Sequence, residues 1–157
     1  MSEALSTQPR PYKHSWTSRA SYKEIFTGWA YPPKSFKRWE DLVCTWAWHC
    51  LDCHELEQGE SWYWEVWNEP DIGYWQSTRE RVFALHDHAV AAVCRAIPTA
   101  LIGGRETAQA DEGFTFLESF LGHCVGGTNV ATGQQGSPLD FIAFHAKGRP
   151  EYIDGSN

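Results

Sequence analysis

No stretch of this chain approaches the roughly 18 consecutive apolar residues that a membrane span requires, so none is expected. A basic excess is missing too. Thirteen Lys and Arg stand against 20 Asp and Glu, a net charge of −7. With no positive patch to neutralise phosphates, neither nucleic acid nor an anionic membrane is an expected partner. Met1-Ser2-Glu3-Ala4-Leu5-Ser6 lacks the charged and apolar regions of a signal peptide. The five cysteines are odd in number and scattered, which points to a reducing compartment and a cytoplasmic location. Cys50-Leu51-Asp52-Cys53-His54 has the spacing of a c-type haem attachment. Cys50 sits on a helical apolar stripe, however, so plain helical cysteines are expected, with no cofactor and no metal.

What the chain does have is length for one domain, 157 residues, and apolar residues at 42%, enough for a core. It is also rich in aromatics: nine Trp, six Tyr and eight Phe. These can fill a core, or stack on the apolar faces of sugar rings.

Along the chain, residues 1–33 show no sustained period and read as a loop ending at Tyr31-Pro32-Pro33. From Lys34 to about His54, Phe36, Trp39, Val43, Trp46, Ala47 and Cys50 recur at three and four, the buried stripe of a helix. Ser61 to Trp67 reads as a buried strand that should stop at Pro70, which biases the residue before it toward extended geometry. Ser77-Thr78-Arg79-Glu80 has capping-box spacing ahead of a helix that Pro98 closes. A second strand is expected over Ala100 to Gly104, a helix over Glu112 to Cys124, a loop over Val125 to Pro138, and a third strand over Leu139 to Phe144. Strands alternating with helices imply parallel βα units, an α/β fold.

The chemistry concentrates at Trp67-Asn68-Glu69-Pro70, where a strand hands over to a loop. In βα barrels the active site lies at the C-terminal ends of the strands. A carboxylic acid there can protonate a glycosidic oxygen, and Asn68 beside it can bond a sugar hydroxyl. His145 ends the third strand and precedes Lys147 and Arg149, so it is a further candidate. Trp75 is either a sugar platform or a packing residue under the loop. His14 and Trp16 are weaker candidates on the opening loop. His86 and His88 are two apart on a helix, point to different faces, and are expected at the surface. His123 is expected to favour the dipole at its helix's C-terminus.

Glu65-Val66-Trp67-Asn68-Glu69-Pro70-Asp71-Ile72-Gly73-Tyr74-Trp75 resembles the fourth-strand motif of glycoside hydrolase family 39, which includes β-xylosidases and α-L-iduronidases. Met1 to Ser6, Gly28 to Pro33 and Asp140 to Pro150 resemble the same family, in the right order. The resemblance implies a (β/α)₈ barrel and retaining chemistry. It makes Glu69 the general acid/base after Asn68 and His145 a pocket-lining residue; Trp75 and Lys147 are further candidates toward the substrate, a xyloside-type carbohydrate. It also implies that residues 1–157 are one partial catalytic domain, from the end of the third barrel strand to just past the sixth. A whole barrel takes about 250 residues, and the nucleophile's strand, the seventh, is not among these. Glu106 is the candidate in its place; the family tends to show Gly-Gly-Pro where this chain has Gly103-Gly104-Arg105-Glu106, and loop charges are the simpler expectation. Glu69 is expected to have a raised pKa in an intact pocket. Bare sheet edges would allow self-association. The alternatives are a non-catalytic carbohydrate-binding remnant, or one part of a split or incomplete gene product.

Overall fold

In the computed structural model, which describes residues 30–108 and 110–145, a three-stranded parallel sheet carries helices on one face. Helix α1 (Phe36–His54) comes first, with the Ser35 side chain accepting the Arg38 backbone N–H. A short helix α2 (Leu56–Glu60) follows, then strand β1 (Tyr63–Glu65), helix α3 (Arg79–Ala96), strand β2 (Leu101–Thr107), helix α4 (Ala110–Gly126) and strand β3 (Phe141–Phe144). The strands lie in chain order, with Tyr63 opposite Leu101 and Gly103 opposite Phe141. The α/β class and the alternating order expected from the sequence are therefore observed.

The helix-facing residues make two cores. One joins Val43, Cys44 and Ala47 of α1 to Trp64 and Val66 beside it, to Ala89, Val90 and Val93 of α3, and to Ile102 of β2. The other joins Trp75, Val82 and Leu85 to Phe116 and Phe120 of α4. The opposite sheet face and the β3 edge are far less covered: Tyr63 is 69% exposed and Phe144 63%.

Several boundaries differ from expectation, each for a local reason. The strand expected over Ser61 to Trp67 pairs only from Tyr63 to Glu65, because Trp67 turns to a positive φ of 73°. The second strand runs on to Thr107, past the glycine pair that was expected to end it. Thr78 occupies the cap of α3, but its side chain makes no capping bond, so the capping box is not formed. Helix α2 was not anticipated; it leans on a close approach, since a Cβ at Gly59 would lie 2.5 Å from Leu51 Cδ2. Trp46, expected on the buried stripe, is 44% exposed, touching Trp64 edge-on. Of the opening loop, residues 1–29 lie outside the described residues, His14 and Trp16 among them.

The largest correction concerns the α3 histidines. They do point to different faces, yet neither is at the surface, because α3 is covered on two sides. His88 donates or accepts at 2.8 Å with Glu40 of α1. His86 is fully buried edge-on to Phe120 of α4, its rings 4.9 Å apart. Burial, followed by the nearby Arg105 charge, pushes its pKa down to about 3, so it is neutral at pH 7.

Candidate active site

The site begins with an irregularity in β2. Between Gly104 and Thr107 the register with β3 shifts: Gly104 faces Ile142, and Thr107 faces Phe144. Three steps along β2 match two along β3, which is a β-bulge. Gly104 and Arg105 take positive φ values of 102° and 74°. Strict alternation would aim Arg105 and Glu106 the other way. The bulge instead sends Arg105 into the helix layer, where it is fully buried, donates to the Val82 carbonyl at 3.0 Å and lies 4.7 Å over the Phe120 ring. It leaves Glu106 beside the ends of the strands. Gly104 must lack a side chain there, since a Cβ would meet Glu65 Cγ at 2.2 Å.

The end of β1 is held onto this bulge. The Glu69 backbone N–H donates to the Glu106 carbonyl at 2.7 Å, and Asn68 bridges to Glu106 as a strand partner. Both carboxylate oxygens of Asp71 accept the Ala108 N–H, each at 3.0 Å, tying the following loop to the end of β2. These bonds override local preference. Glu69 precedes a proline and should be extended, yet its φ is +46°, and Trp67 two residues earlier is also positive. Such conformations cost about 1–3 kcal/mol each and persist where the surroundings impose them.

The outcome is a cluster of four side chains. Glu69 is 4% exposed. Its Oε1 lies 2.6 Å from His145 Nδ1. On the other side of the ring, His145 Nε2 lies 3.4 Å from Glu106 Oε2. Glu106 in turn hydrogen-bonds Glu65. Burial, then that bond and the Glu106 charge, push the Glu65 pKa up to about 7, while His145 pulls it down. The sequence-predicted Glu69 and His145, 76 residues apart, are thus in direct contact. Glu106, expected as a loop charge, and Glu65, expected to have no role, join them. The paired glycines before Arg105 were the available signal, since glycine within a strand often marks a bulge.

Other candidates stand differently. Asn68 is exposed at the strand end. Trp75, one reading of which was a sugar platform, is 7% exposed, donates its indole N–H to the Thr78 carbonyl at 3.0 Å, and packs edge-on against Trp67. It packs in the core between α3 and α4. Lys147 lies outside the described residues. His123 is in the last turn of α4 as expected, but its partner is the buried Asp87 carboxylate at 2.9 Å. Among the described residues, no group of three or more His, Cys, Asp or Glu side chains is arranged to hold a metal ion.

Parallel strands with helices between them, and polar side chains gathered where the strands end, are the arrangement of βα enzyme domains. More particularly, the chain belongs to glycosyl hydrolase family 39, whose family model matches residues 13–156. It is 30% identical over 147 residues to a β-xylosidase of Caldicellulosiruptor saccharolyticus, a match covering 92% of this chain and 25% of that protein. It is 32% identical over 114 residues to the α-L-iduronidase of Mus musculus, covering 70% and 18%. Among solved structures, a bacterial orthologue of human α-L-iduronidase superposes with a TM-score of 0.65 at 28% identity, covering 73% of this chain and 18% of that one. A monomeric β-xylosidase from Caulobacter crescentus gives 0.57 at 28% identity, covering 74% and 21%. The chain therefore spans a quarter or less of these relatives' length.

Proposed function

We propose that these 157 residues are the central βα units of a (β/α)₈ barrel that hydrolyses O-glycosides with retention, acting on xyloside-type substrates. Support for the sugar comes from the β-xylosidase that aligns over nearly the whole chain. The observation that carries the chemistry is Glu69: a buried carboxyl at a parallel strand's C-terminal end, with an imidazole nitrogen 2.6 Å from one oxygen.

Glycosidic cleavage needs a proton on the departing oxygen, because an alkoxide is a poor leaving group. Glu69, protonated, delivers it while a nucleophilic carboxylate attacks the anomeric carbon. The ionised Glu69 then takes a proton from water, which attacks the glycosyl-enzyme intermediate and releases the sugar. The two roles need a group that changes charge easily, and a buried carboxyl facing histidine can do so. Asn68, exposed beside it, is placed to bond a sugar hydroxyl. The nucleophile is proposed to come from a strand outside these residues, so the isolated chain should show little or no turnover. The uncovered Tyr63, Ile142 and Phe144 are apolar surfaces that barrel closure would bury, and until then they favour self-association.

The test is leaving-group dependence in the completed barrel. Glu69→Gln should slow hydrolysis of an alkyl or disaccharide xyloside by about 10²–10⁴-fold. With an activated aryl xyloside, which needs no protonation, the first step should be nearly unaffected. An unchanged rate on the poor leaving group would end the assignment.

A further inference from the structure

The bulge that brings Glu106 to the strand ends places it against His145, whose ring also contacts Glu69. We propose that Glu106 is a positioning residue for the acid/base: it fixes which nitrogen of His145 carries a proton, and so which form of Glu69 that histidine supports. This rests on the reading of Glu69 given above.

The logic is that of an imidazole between two carboxyls. Neutral imidazole has one N–H and one bare nitrogen. If Glu106 is ionised and accepts from Nε2–H, the bare Nδ1 faces Glu69 and can only accept, which favours protonated Glu69, the acid form. If Glu106 carries the proton and donates to Nε2, the N–H is on Nδ1 and points at Glu69, which favours the carboxylate, the base form. The exchange is balanced: one proton enters the ring at one nitrogen as another leaves from the other. The distances allow both arrangements, at 2.6 Å on the Glu69 side and 3.4 Å on the Glu106 side.

Glu65 sets a second carboxyl beside Glu106. It hydrogen-bonds Glu106, and two carboxyls in contact hold one proton between them well above the usual carboxylate range; the Glu65 pKa is pushed up to about 7. The charged and titratable groups around Glu106 come from each neighbouring element: Glu65 and Glu69 from β1 and its end, His145 from the end of β3, and Asp71 from the intervening loop, bound to the Ala108 N–H. Arg105, next in chain, is turned away into the helix layer. Among the described residues, then, the cluster contains three carboxyls and one imidazole, and how its protons are shared depends on Glu106.

The experiment is a pH titration of the ¹⁵N resonances of the His145 ring in the 157-residue chain. Those shifts report which nitrogen is protonated, and the measurement requires no turnover. The neutral wild-type ring is expected to carry its proton mainly on Nε2, toward Glu106. Glu106→Leu, which offers neither donor nor acceptor, should move that balance toward Nδ1–H, facing Glu69. A neutral wild-type ring protonated on Nδ1 overturns the proposal without any variant. A Glu106→Leu ring that keeps the wild-type balance overturns it too. Loss of rate in Glu69→Gln is a separate result, so a wrong role for Glu69 and a wrong role for Glu106 are told apart.

Discussion

Two clusters in this molecule use the same side chains for opposite ends. At the strand ends, His145 sits among Glu69, Glu106 and Glu65. In the helix layer, Asp87 sits among His123, His86 and Arg105. The first has three carboxyls to one imidazole, and Glu106 and His145 remain partly open to solvent. The second has one carboxylate, fully buried, accepting from the Val130 N–H at 2.9 Å and facing His123 at 2.9 Å. Its cation, Arg105, has its pKa brought down to about 9 by burial, offset by Cys124 and Asp87, and so remains charged at pH 7. The buried cluster is organised around Asp87, whose bonds to His123 of α4 and to the Val130 N–H hold α3, α4 and the following loop together. The open one has an excess of exchangeable protons on strained backbone, which suits chemistry and costs stability. What differs is balance and access, not residue type.

The comparison breaks most visibly at Asp87. Asp87→Ala should leave the Val130 N–H and the His123 ring without their acceptor and destabilise the fold by about 1–3 kcal/mol, read as a drop in the urea midpoint. A loss under about 1 kcal/mol, the scale of a surface pair, would mean the buried cluster is not the structural one. Next comes pH. His86 has a folded pKa of about 3 against 6.5 unfolded, so the unfolded chain takes up a proton that the folded one refuses. Stability should therefore be full above pH 6.5 and fall as pH drops toward 3, by up to about 1.4 kcal/mol per pH unit. His86→Phe, if it folds, should flatten that slope; the same acid sensitivity in the variant would show that another group is responsible.

Smaller effects sharpen the open cluster. Gly104→Ala forces a side chain onto a φ of 102° and against Glu65, and should cost about 1–3 kcal/mol by equilibrium unfolding. No change would mean the bulge is not held as described. The least effect, with the opposite pH sign to His86, belongs to Glu65. Its folded pKa is raised to about 7 from 4.5, so it favours folding below pH 4.5 and loses that advantage as pH rises through 7. Glu65→Gln should raise the thermal midpoint slightly above pH 7 and leave it unchanged at pH 4. A variant that is less stable at pH 8 would contradict the shared proton.

Much of the frame could be read from periodicity. The stripe in α1, the run in α3 closed by Pro98, and the strand–helix alternation all have strong local causes, and they alone put Glu69 and His145 at strand ends. The rest depended on contacts between distant segments. Whether His86 is at the surface is decided by α4 lying across it, which its own helix cannot tell. Glu106 reaches the cluster because one extra residue in β2 reverses which side chains face inward, and no period survives a bulge. The left-handed φ of Glu69 runs against its own following proline and exists because β2 takes its backbone N–H.

The central claim, that Glu69 is the acid/base of a retaining site, is tested most directly by azide rescue of Glu69→Ala in the completed barrel with an activated aryl xyloside. An acid/base variant forms the glycosyl-enzyme but cannot activate water, and azide needs no base. The account predicts that azide accelerates turnover and yields a xylosyl azide of retained configuration. No acceleration, or an azide product of inverted configuration marking Glu69 as the nucleophile instead, would contradict it.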